Sequence, residues 1–175
     1  MNFMFETEHL IVRKFKPEDA SRLYENHLEE EMKKWFPNES YADMEETEGA
    51  IEFYVDCVNA GKLPYVLAIE LKETGELIGD TGVSEVEGKE DQVEVGYMIS
   101  NKYSGKGYAT EVLTALTEFI ISTFGTKVLY GRVIKGNEAS CRVLEKSGYT
   151  FVGEEFGAED DPYGNGMVIY KKTSL

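Results

Sequence analysis

Residues 102–109 read KYSGKGYA, and this stretch marks the point where the chain changes from strand to helix. The residues before it, 92–99, alternate between apolar and polar as a strand does, and those after it repeat at helical spacing. Gly105 and Gly107 let the backbone turn several N–H groups in one direction. Because the first N–H groups of a helix are unpaired and carry partial positive charge, the loop predicts an anion site suited to phosphate, with Lys106 at its rim.

Known phosphate-binding patterns do not match this loop. The Walker pattern needs G-x-x-x-x-G-K-[ST], whose spacing the loop lacks, and the pattern G-x-G-x-x-G fails because Thr110 stands at its third glycine. By itself the loop is therefore open to a second interpretation, in which its glycines cap an ordinary helix.

Outward from this loop, the apolar pattern predicts a mixed sheet with flanking helices. The predicted strands cover 8–15, 65–71, 77–86, 92–99, 127–134, 149–156 and 167–172. The predicted helices cover 17–27, 43–59, the stretch after residue 107, and 137–147. Short turns join the strands between 65 and 99, which indicates an antiparallel meander. The strand–helix–strand order from 92 to 134 predicts a parallel crossover.

Composition sets the class of protein. A length of 175 residues suits one domain, 1–175, and a formal net charge of −15 would repel nucleic acid. The same charge would attract a cationic small molecule or a basic peptide, although it is also compatible with solubility alone. No apolar run approaches the roughly 20 residues that cross a bilayer, and the N-terminus lacks a signal-peptide pattern. Cys57 and Cys141 indicate neither a disulfide framework nor a zinc site, so we expect a cytoplasmic, bacterial-type protein without bound metal.

A second segment, 137–149, reads NEASCRVLEKSGY. Its residues Asn137, Ser140 and Leu144 fall on one helical stripe. Asn and Ser are favoured at helix starts, so both polar residues are open to a capping interpretation. The alternative is that two polar groups on one stripe face a ligand.

Together these segments resemble the GNAT N-acetyltransferase superfamily and, within it, the RimJ/RimL-like branch. The resemblance covers nearly the whole chain and is carried, in order, by TEHLIVRKFKPEDA, VEVGYMI, YSGKGYATEVL and NEASCRVLEKSGYTFVGE. Two positions depart from the pattern. Lys102 stands where the superfamily has Gln or Arg, and His9 stands where the branch usually has Arg.

The resemblance implies a fold and a reaction. The fold would be the GNAT acyl-CoA N-acyltransferase fold, a mixed α/β arrangement whose sheet is mostly antiparallel, with about seven strands flanked by helices. Its central strands, here 92–99 and 127–134, would splay apart to admit the cofactor. The reaction would move an acetyl group from acetyl-CoA directly to a primary amine, either a small cationic amine or a protein N-terminus, through a ternary complex.

The resemblance also implies which residues hold the cofactor. The backbone amides of Gly105, Lys106, Gly107, Tyr108 and Ala109 would bind the pyrophosphate. Met98 and Ile99 would bond the pantetheine amides as a short added strand does, and Asn137 and Ser140 would lie beside the pantetheine or the acceptor nitrogen.

For catalysis, the resemblance points to Glu94 and Ser140. Glu94 shares a strand face with Gly96 and Met98, and a half-buried carboxylate there would suit a general base, acting directly or through a water. The alternative is a solvated Glu, or one paired with a Lys or Arg. Many GNAT enzymes use a tyrosine on the second helix to neutralise the leaving thiolate; here the nearby residue is Leu144, and Ser140 is the expected substitute.

The acceptor pocket would come from the acidic N-terminal segments and the loop before the last strand. Trp35, Tyr41 and Glu94 are the expected substrate-binding residues, since rings and acids together can hold a cation, although the rings could instead fill a small subcore. The loop 160–166 would cover the acceptor. His9 and His27 are expected to be structural or surface residues.

Three functional hypotheses therefore stand. The first is the acetyltransferase, monomeric or homodimeric, acting on a small-molecule or peptide amine. The second is a non-catalytic acyl-CoA-binding sensor or interaction module. The third is a nucleotide-binding protein that uses the glycine loop, and it lacks the Walker Lys–Ser pair.

Overall fold

The computed structural model describes residues 3–156 and 166–174. Its strands are β1 Phe3–Glu6, β2 Leu10–Arg13, β3 Tyr65–Leu71, β4 Leu77–Val86, β5 Lys89–Ile99, β6 Val128–Ile134, β7 Thr150–Glu155 and β8 Met167–Thr173. Its α-helices are α1 Ala20–Leu28, α2 Glu30–Trp35, α3 Met44–Asn59, α4 Tyr108–Phe124 and α5 Glu138–Lys146. Short 3₁₀ turns precede α1 and α4, at Pro17–Asp19 and Asn101–Tyr103.

The strands form one sheet in the order β1-β2-β3-β4-β5-β6-β8-β7. Neighbouring strands run antiparallel except β5 and β6, which are parallel because α4 carries the chain across the sheet between them. This arrangement confirms the predicted meander, the predicted crossover and the mixed sheet. The sheet has eight strands rather than about seven.

The additional strand is β1, which the sequence pattern did not predict. It has four residues, FMFE, too few to establish an alternation, and it forms an edge of the sheet against β2. The predicted strand 8–15 correspondingly begins later, at Leu10. Residues before Leu10 are used for the turn between the two strands, where the Thr7 N–H donates to the Leu10 carbonyl at 2.8 Å.

The parallel pair β5/β6 separates partway along its length. Paired residues run from Gln92–Val128 to Val95–Gly131, and no pair is formed beyond Gly131 in the described residues. Both strands nevertheless continue, β5 to Ile99 and β6 to Ile134. The predicted splay of the central strands is therefore present, and it leaves one edge of β5 without a strand partner after Val95.

Helices cover both faces of the sheet with separate apolar cores. On one face α4 packs its stripe, including Val112, Leu116 and Ile120, into the larger cluster of buried residues. On the other face, Leu23 of α1 and Ile51 of α3 belong to a smaller cluster. Adjacent residues of β3 point into different cores, as strand alternation requires. The sheet, including its splayed region, lies between the two layers of helices.

At Gly79, β4 lies against the backbone of β5. A Cβ at this position would sit 1.9 Å from the Met98 carbonyl oxygen, a backbone atom that cannot move aside without shifting β5. At Gly82, three residues along the same strand, a Cβ would make only an ordinary 3.6 Å contact with the Tyr65 carbonyl oxygen. The sheet therefore requires glycine at the first position and tolerates a methyl group at the second.

We expect Gly79→Ala to lower the free energy of unfolding by at least about 2 kcal/mol, the usual cost of forcing extra volume into a packed region. The matched change Gly82→Ala should be nearly neutral or slightly stabilising, because glycine inside a strand carries an entropic cost. Urea unfolding of both variants measures the difference. Equal stability of the two variants would contradict the close approach of β4 to Met98.

Candidate functional site

A cavity of about 690 Å³ opens where β5 and β6 separate. Its walls come from both halves of the chain: α1, the segment after α2, α3, and β4 on one side, and β6, α5 and β8 on the other. The cavity therefore lies between the helical layers, at the place where the sheet is interrupted.

The floor of the cavity is formed by facing residues of β4 and β5. Gly82 pairs with Gly96 at its centre, and Asp80 pairs with Met98 on one side of that pair. Ser84 pairs with Glu94 on the other side. Because alternate residues of a strand share a face, the glycine pair leaves a depression between the polar side chains. A Cβ at Gly96 would meet nothing within 4 Å, so this space is open.

Glu94 reaches into the cavity beside a cation. Its Oε1 lies 3.8 Å from Nη1 of Arg132, and the Arg132 guanidinium also pairs with Glu155. Burial raises the pKa of Glu94; Arg132 opposes this shift and Glu155 adds to it. The pairing that the sequence analysis allowed as an alternative therefore exists, but the pKa of the carboxyl group is still above its usual range. Such a group can accept a proton near neutral pH more readily than an ordinary carboxylate.

A second acidic region lies around His27. Nε2 of this buried histidine is 2.7 Å from Oδ2 of Asp80, on the cavity floor. Burial lowers the pKa of His27, but Asp80 and the nearby Glu39 outweigh that effect, and the pKa is raised overall. Burial also raises the pKa of Glu39, with Asp80 adding to the shift. His27 is thus structural, as expected, but it also lines the cavity.

Aromatic side chains close this part of the cavity. The hydroxyls of Tyr41 and Tyr54 are 2.9 Å apart, and the Tyr41 ring packs edge-on against His27 with centroids 5.2 Å apart. Trp35 also lines the cavity, and its indole N–H donates to Glu31 at 3.2 Å. Acids and ring faces therefore lie together, as a site for an organic cation requires.

Asn137 and Ser140 hold the opposite wall. The Asn137 side chain accepts the Ser140 N–H at 3.3 Å, so Asn137 caps α5 and the capping interpretation is correct for it. The Ser140 hydroxyl is instead 2.7 Å from the Tyr97 hydroxyl. Leu144 packs where a Cβ on Gly131 would sit, only 2.5 Å away, so α5 lies directly on β6.

The glycine loop lies at the end of β5 and has the geometry of an anion site. Gly105 and Gly107 have φ angles of 74° and 84°, in the left-handed region that glycine favours. In the described part of the chain, the backbone N–H groups of residues 105–109 have no backbone acceptor. Glu29 anchors the start of the loop by accepting from the Ser100 hydroxyl and the Asn101 N–H, at 2.7 and 2.9 Å.

Most of the predicted site residues come together. Glu94, Met98, Asn137, Ser140, Trp35 and Tyr41 all line the cavity. Ile99, the last residue of β5, and the loop 105–109, which comes after that strand, lie outside the lining. Of the loop expected to cover the acceptor, 160–165 lies outside the described residues.

Sequence reasoning missed several residues of the cavity, including Asp80, Glu39, Arg132 and Tyr97. Asp80 could have been found, because strand alternation places it on the same face as Gly82 and opposite Met98. Tyr97 points to the other face, where its hydroxyl contacts Ser140, and it still belongs to the cavity lining. In the residues that are described, no group of three or more His, Cys, Asp or Glu side chains is arranged to hold a metal ion. Nor is any described helix long and apolar enough to cross a membrane.

Comparison with known sequences finds a family model and a relative that each match most of the chain. The family model described as Acetyltransferase (GNAT) domain matches residues 9–150. The chain is 27% identical over 146 residues to a Bacillus subtilis protein named as the uncharacterized N-acetyltransferase YoaA, covering 83% of this chain and 82% of that protein.

Solved structures share the fold. The ribosomal-protein-S5-alanine acetyltransferase of Vibrio fischeri superposes with a TM-score of 0.83 at 22% identity, covering 97% of this chain and 95% of that one. Mycobacterium smegmatis RimJ, solved in complex with CoA-disulfide, superposes with a TM-score of 0.80 at 18% identity, covering 94% and 82%.

The raised pKa of His27 predicts how stability depends on pH. The protonated ring is stabilised in the folded state, so its contribution is complete below the unfolded pKa of about 6.5 and is lost as pH rises through the higher folded value. We therefore expect the stability difference between the wild type and His27→Gln to be larger near pH 6 than near pH 8, roughly on either side of that pKa. Urea unfolding at the two pH values measures it.

His9→Gln is the matched control for this experiment. His9 also pairs with a carboxylate, Glu111, but its side chain is 51% exposed, and exposed pairs contribute little. A pH-independent difference for His27→Gln, or an equal response of both variants, would contradict the buried His27–Asp80 pair.

Proposed function

The chain belongs to the GNAT acetyltransferase family, and from this membership we propose that it moves an acetyl group from acetyl-CoA directly to a primary amine through a ternary complex. The observation that carries the proposal is the splay of β5 and β6, which connects the glycine loop to a cavity containing Glu94. Residues 1–175 would form a single catalytic domain. A cytoplasmic location and a monomeric or homodimeric state are part of the same proposal.

The free edge of β5 and the glycine loop would hold the donor. Met98 and Ile99 lie beyond the last β5/β6 pair. The backbone groups of Ile99 on that side can bond the pantetheine amides as an added strand would, whereas the Met98 carbonyl faces β4 and Met98 would contact the donor from the cavity lining. The N–H groups of 105–109 and the helix dipole of α4 suit the pyrophosphate. Acetyl-CoA would supply the thioester carbon that the amine attacks. A protein of the same fold was solved with CoA-disulfide, which supports this donor.

Glu94 would remove a proton from the acceptor. An ammonium cannot attack until it loses a proton, and a carboxyl group with a raised pKa can take one directly or through a water. Arg132 would keep Glu94 oriented while the cavity is empty of acceptor, since the two groups already pair. An arriving ammonium would then share the carboxylate with Arg132.

Ser140 would stabilise the leaving group. Its hydroxyl lines the cavity near the free edge of β5, and a hydrogen-bond donor aimed at a developing negative charge lowers the barrier to its formation. Asn137 would help to position the pantetheine or the acceptor nitrogen from the same wall, since its amide oxygen is used for the helix cap and its amide nitrogen can donate a hydrogen bond.

The charge of the cavity favours a cationic acceptor. Glu39, Asp80 and Glu94 line it, while its cations, Arg132 and His27, are already paired with carboxylates. Tyr41 and Trp35 would add ring faces that attract a cation. A small cationic amine and a protein N-terminus both fit this chemistry. The name of the Vibrio fischeri structure supports the second, since that protein acts on a ribosomal protein.

The first test measures CoA thiol release from acetyl-CoA across a panel of spermidine, aminoglycosides, amino acids and short peptides with free N-termini. The thiols of Cys57 and Cys141 must be subtracted. We expect one class of amine to give release, and Glu94→Gln to reduce kcat at least about a hundredfold, the scale of lost general-base catalysis, while CoA affinity stays unchanged.

Glu154→Gln is the control, because Glu154 pairs with Lys135 and is absent from the cavity lining. If Glu94→Gln released the CoA thiol at the wild-type rate, the proposed role of Glu94 as a general base would be refuted. CoA binding without release by any amine would favour the alternative, an acyl-CoA-binding sensor or interaction module.

The second test asks whether the cavity acids select the acceptor's charge. For an acceptor with more than one amine, such as spermidine, we expect Glu39→Gln to raise KM about fivefold with little change in kcat, because a carboxylate beside a bound cation contributes about 1 kcal/mol to its binding. Glu48→Gln, outside the cavity lining, serves as the control. Equal KM values for both variants would contradict binding of the second amine near Glu39.

A further inference from the structure

Tyr97 lies on β5 just past the splay. The last β5/β6 pair is Val95–Gly131, and Tyr97 itself pairs with Thr81 on β4. Its ring packs against the main core, on the face opposite Glu94, and Tyr97 is also one of the residues that line the cavity. The phenol therefore reaches the donor side of the site from within the core.

The Tyr97 hydroxyl makes two contacts, both with Ser140. Its oxygen is 2.7 Å from Ser140 Oγ and 3.0 Å from the Ser140 backbone oxygen. The backbone oxygen can only accept, so the phenol donates there or to Oγ, whereas the serine hydroxyl can donate or accept. Burial raises the pKa of the Tyr97 phenol, which keeps its proton in place as a donor.

These contacts allow two arrangements of the protons. When the phenol donates to the backbone oxygen, the serine hydroxyl can donate to the phenol oxygen, and every group is satisfied. When the phenol donates to Oγ instead, the serine O–H no longer bonds to the phenol and can point into the cavity. Rotation of both hydroxyl groups about their C–O bonds connects the two states, and only the second state leaves the serine proton available to a ligand in the cavity.

We propose that Tyr97 is a positioning residue that holds Ser140 as a hydrogen-bond donor to a thiolate at the open end of β5. The inference rests on the proposed function and deepens its leaving-group step. The chain of donors runs from the Tyr97 O–H to Ser140 Oγ, and from the Ser140 O–H to the sulfur anion. No O–H bond breaks, because an alkyl thiol is a stronger acid than a serine hydroxyl, and burial raises the pKa of the Tyr97 phenol above its usual value. The expected tyrosine on α5 is replaced by this pair, with the phenol supplied by β5.

The test compares the binding of CoA with that of desulfo-CoA, which lacks the thiol, by calorimetry at pH values from well below to above the pKa of the free CoA thiol. If a donor stabilises the bound thiolate, the bound thiol has a lowered pKa. The affinity of CoA relative to desulfo-CoA then rises with pH. We expect a clear rise for the wild type, a several-fold smaller rise for Tyr97→Phe, and no rise for Ser140→Ala.

Steady-state kinetics supply a second measurement. We expect Tyr97→Phe to lower kcat about tenfold, less than the loss of a donor in direct contact, while the KM for acetyl-CoA is unchanged. In the Ser140→Ala background, Tyr97→Phe should have no further effect, because its action passes through Ser140. Tyr149→Phe is the matched control: it removes another buried phenol, bonded to Thr117 at 2.8 Å, and Tyr149 is absent from the cavity lining.

Two results would overturn the inference. One is a wild-type pH dependence of CoA binding in Tyr97→Phe; the other is an equal effect of Tyr97→Phe with and without Ser140. Failure of the wild type to bind either CoA or desulfo-CoA would instead refute the proposed function, and with it this inference. Thermal unfolding of each variant separates these outcomes from a loss of folding.

Discussion

The separation of β5 from β6 is the constraint on which the rest of the structure depends. Backbone N–H and C=O groups of a central strand are normally paired on both sides, and here β5 gives up one side after Val95. The interruption leaves one backbone edge of β5 unpaired and opens a cavity between the helical layers. The end of β5 then leads through the glycine loop to the N-terminus of α4. In the proposed function, each of these features would hold a different part of a long, flexible donor.

Helix packing keeps this gap open. Leu144 of α5 fills the space above Gly131, so the helix rests directly on β6 at the last paired position. On the other side, Gly79 lets β4 approach β5 closely, which holds β5 in the sheet although it has lost one neighbour. Small residues at two contacts thus fix the two strands in separate places, and the cavity follows from their separation.

The glycine loop and the cavity differ in charge. The loop presents backbone N–H groups, contains Lys106 and follows Lys102, whereas the cavity presents Glu39, Asp80 and Glu94. An anionic donor and a cationic acceptor would therefore be drawn to different ends. Arg132 and His27 keep the acidic end from excessive self-repulsion, because each is paired with a carboxylate.

The sequence predicted the elements and the loop well, because both leave local patterns. The change of period at KYSGKGYA located the strand, the glycine loop and α4, and alternation placed Glu94 with Gly96 and Met98. The contacts that tune the site join distant residues: His27 and Asp80 are 53 positions apart, and Tyr97 and Ser140 are 43 apart. No local pattern encodes such pairs. The edge strand β1 was missed for a different reason, since four residues are too short to show a period.

The most direct test of the account is amide hydrogen exchange with and without CoA, followed by mass spectrometry. If the donor pairs with the free edge of β5 and its pyrophosphate sits on the glycine loop, CoA should slow exchange in peptides that cover 96–109, and the antiparallel pair β3/β4 should be unaffected. The predicted result is slowed exchange in peptides that cover 96–109 and unchanged exchange in peptides outside this segment. Binding of CoA without protection of 96–109 would contradict the central claim that the splay is the donor site.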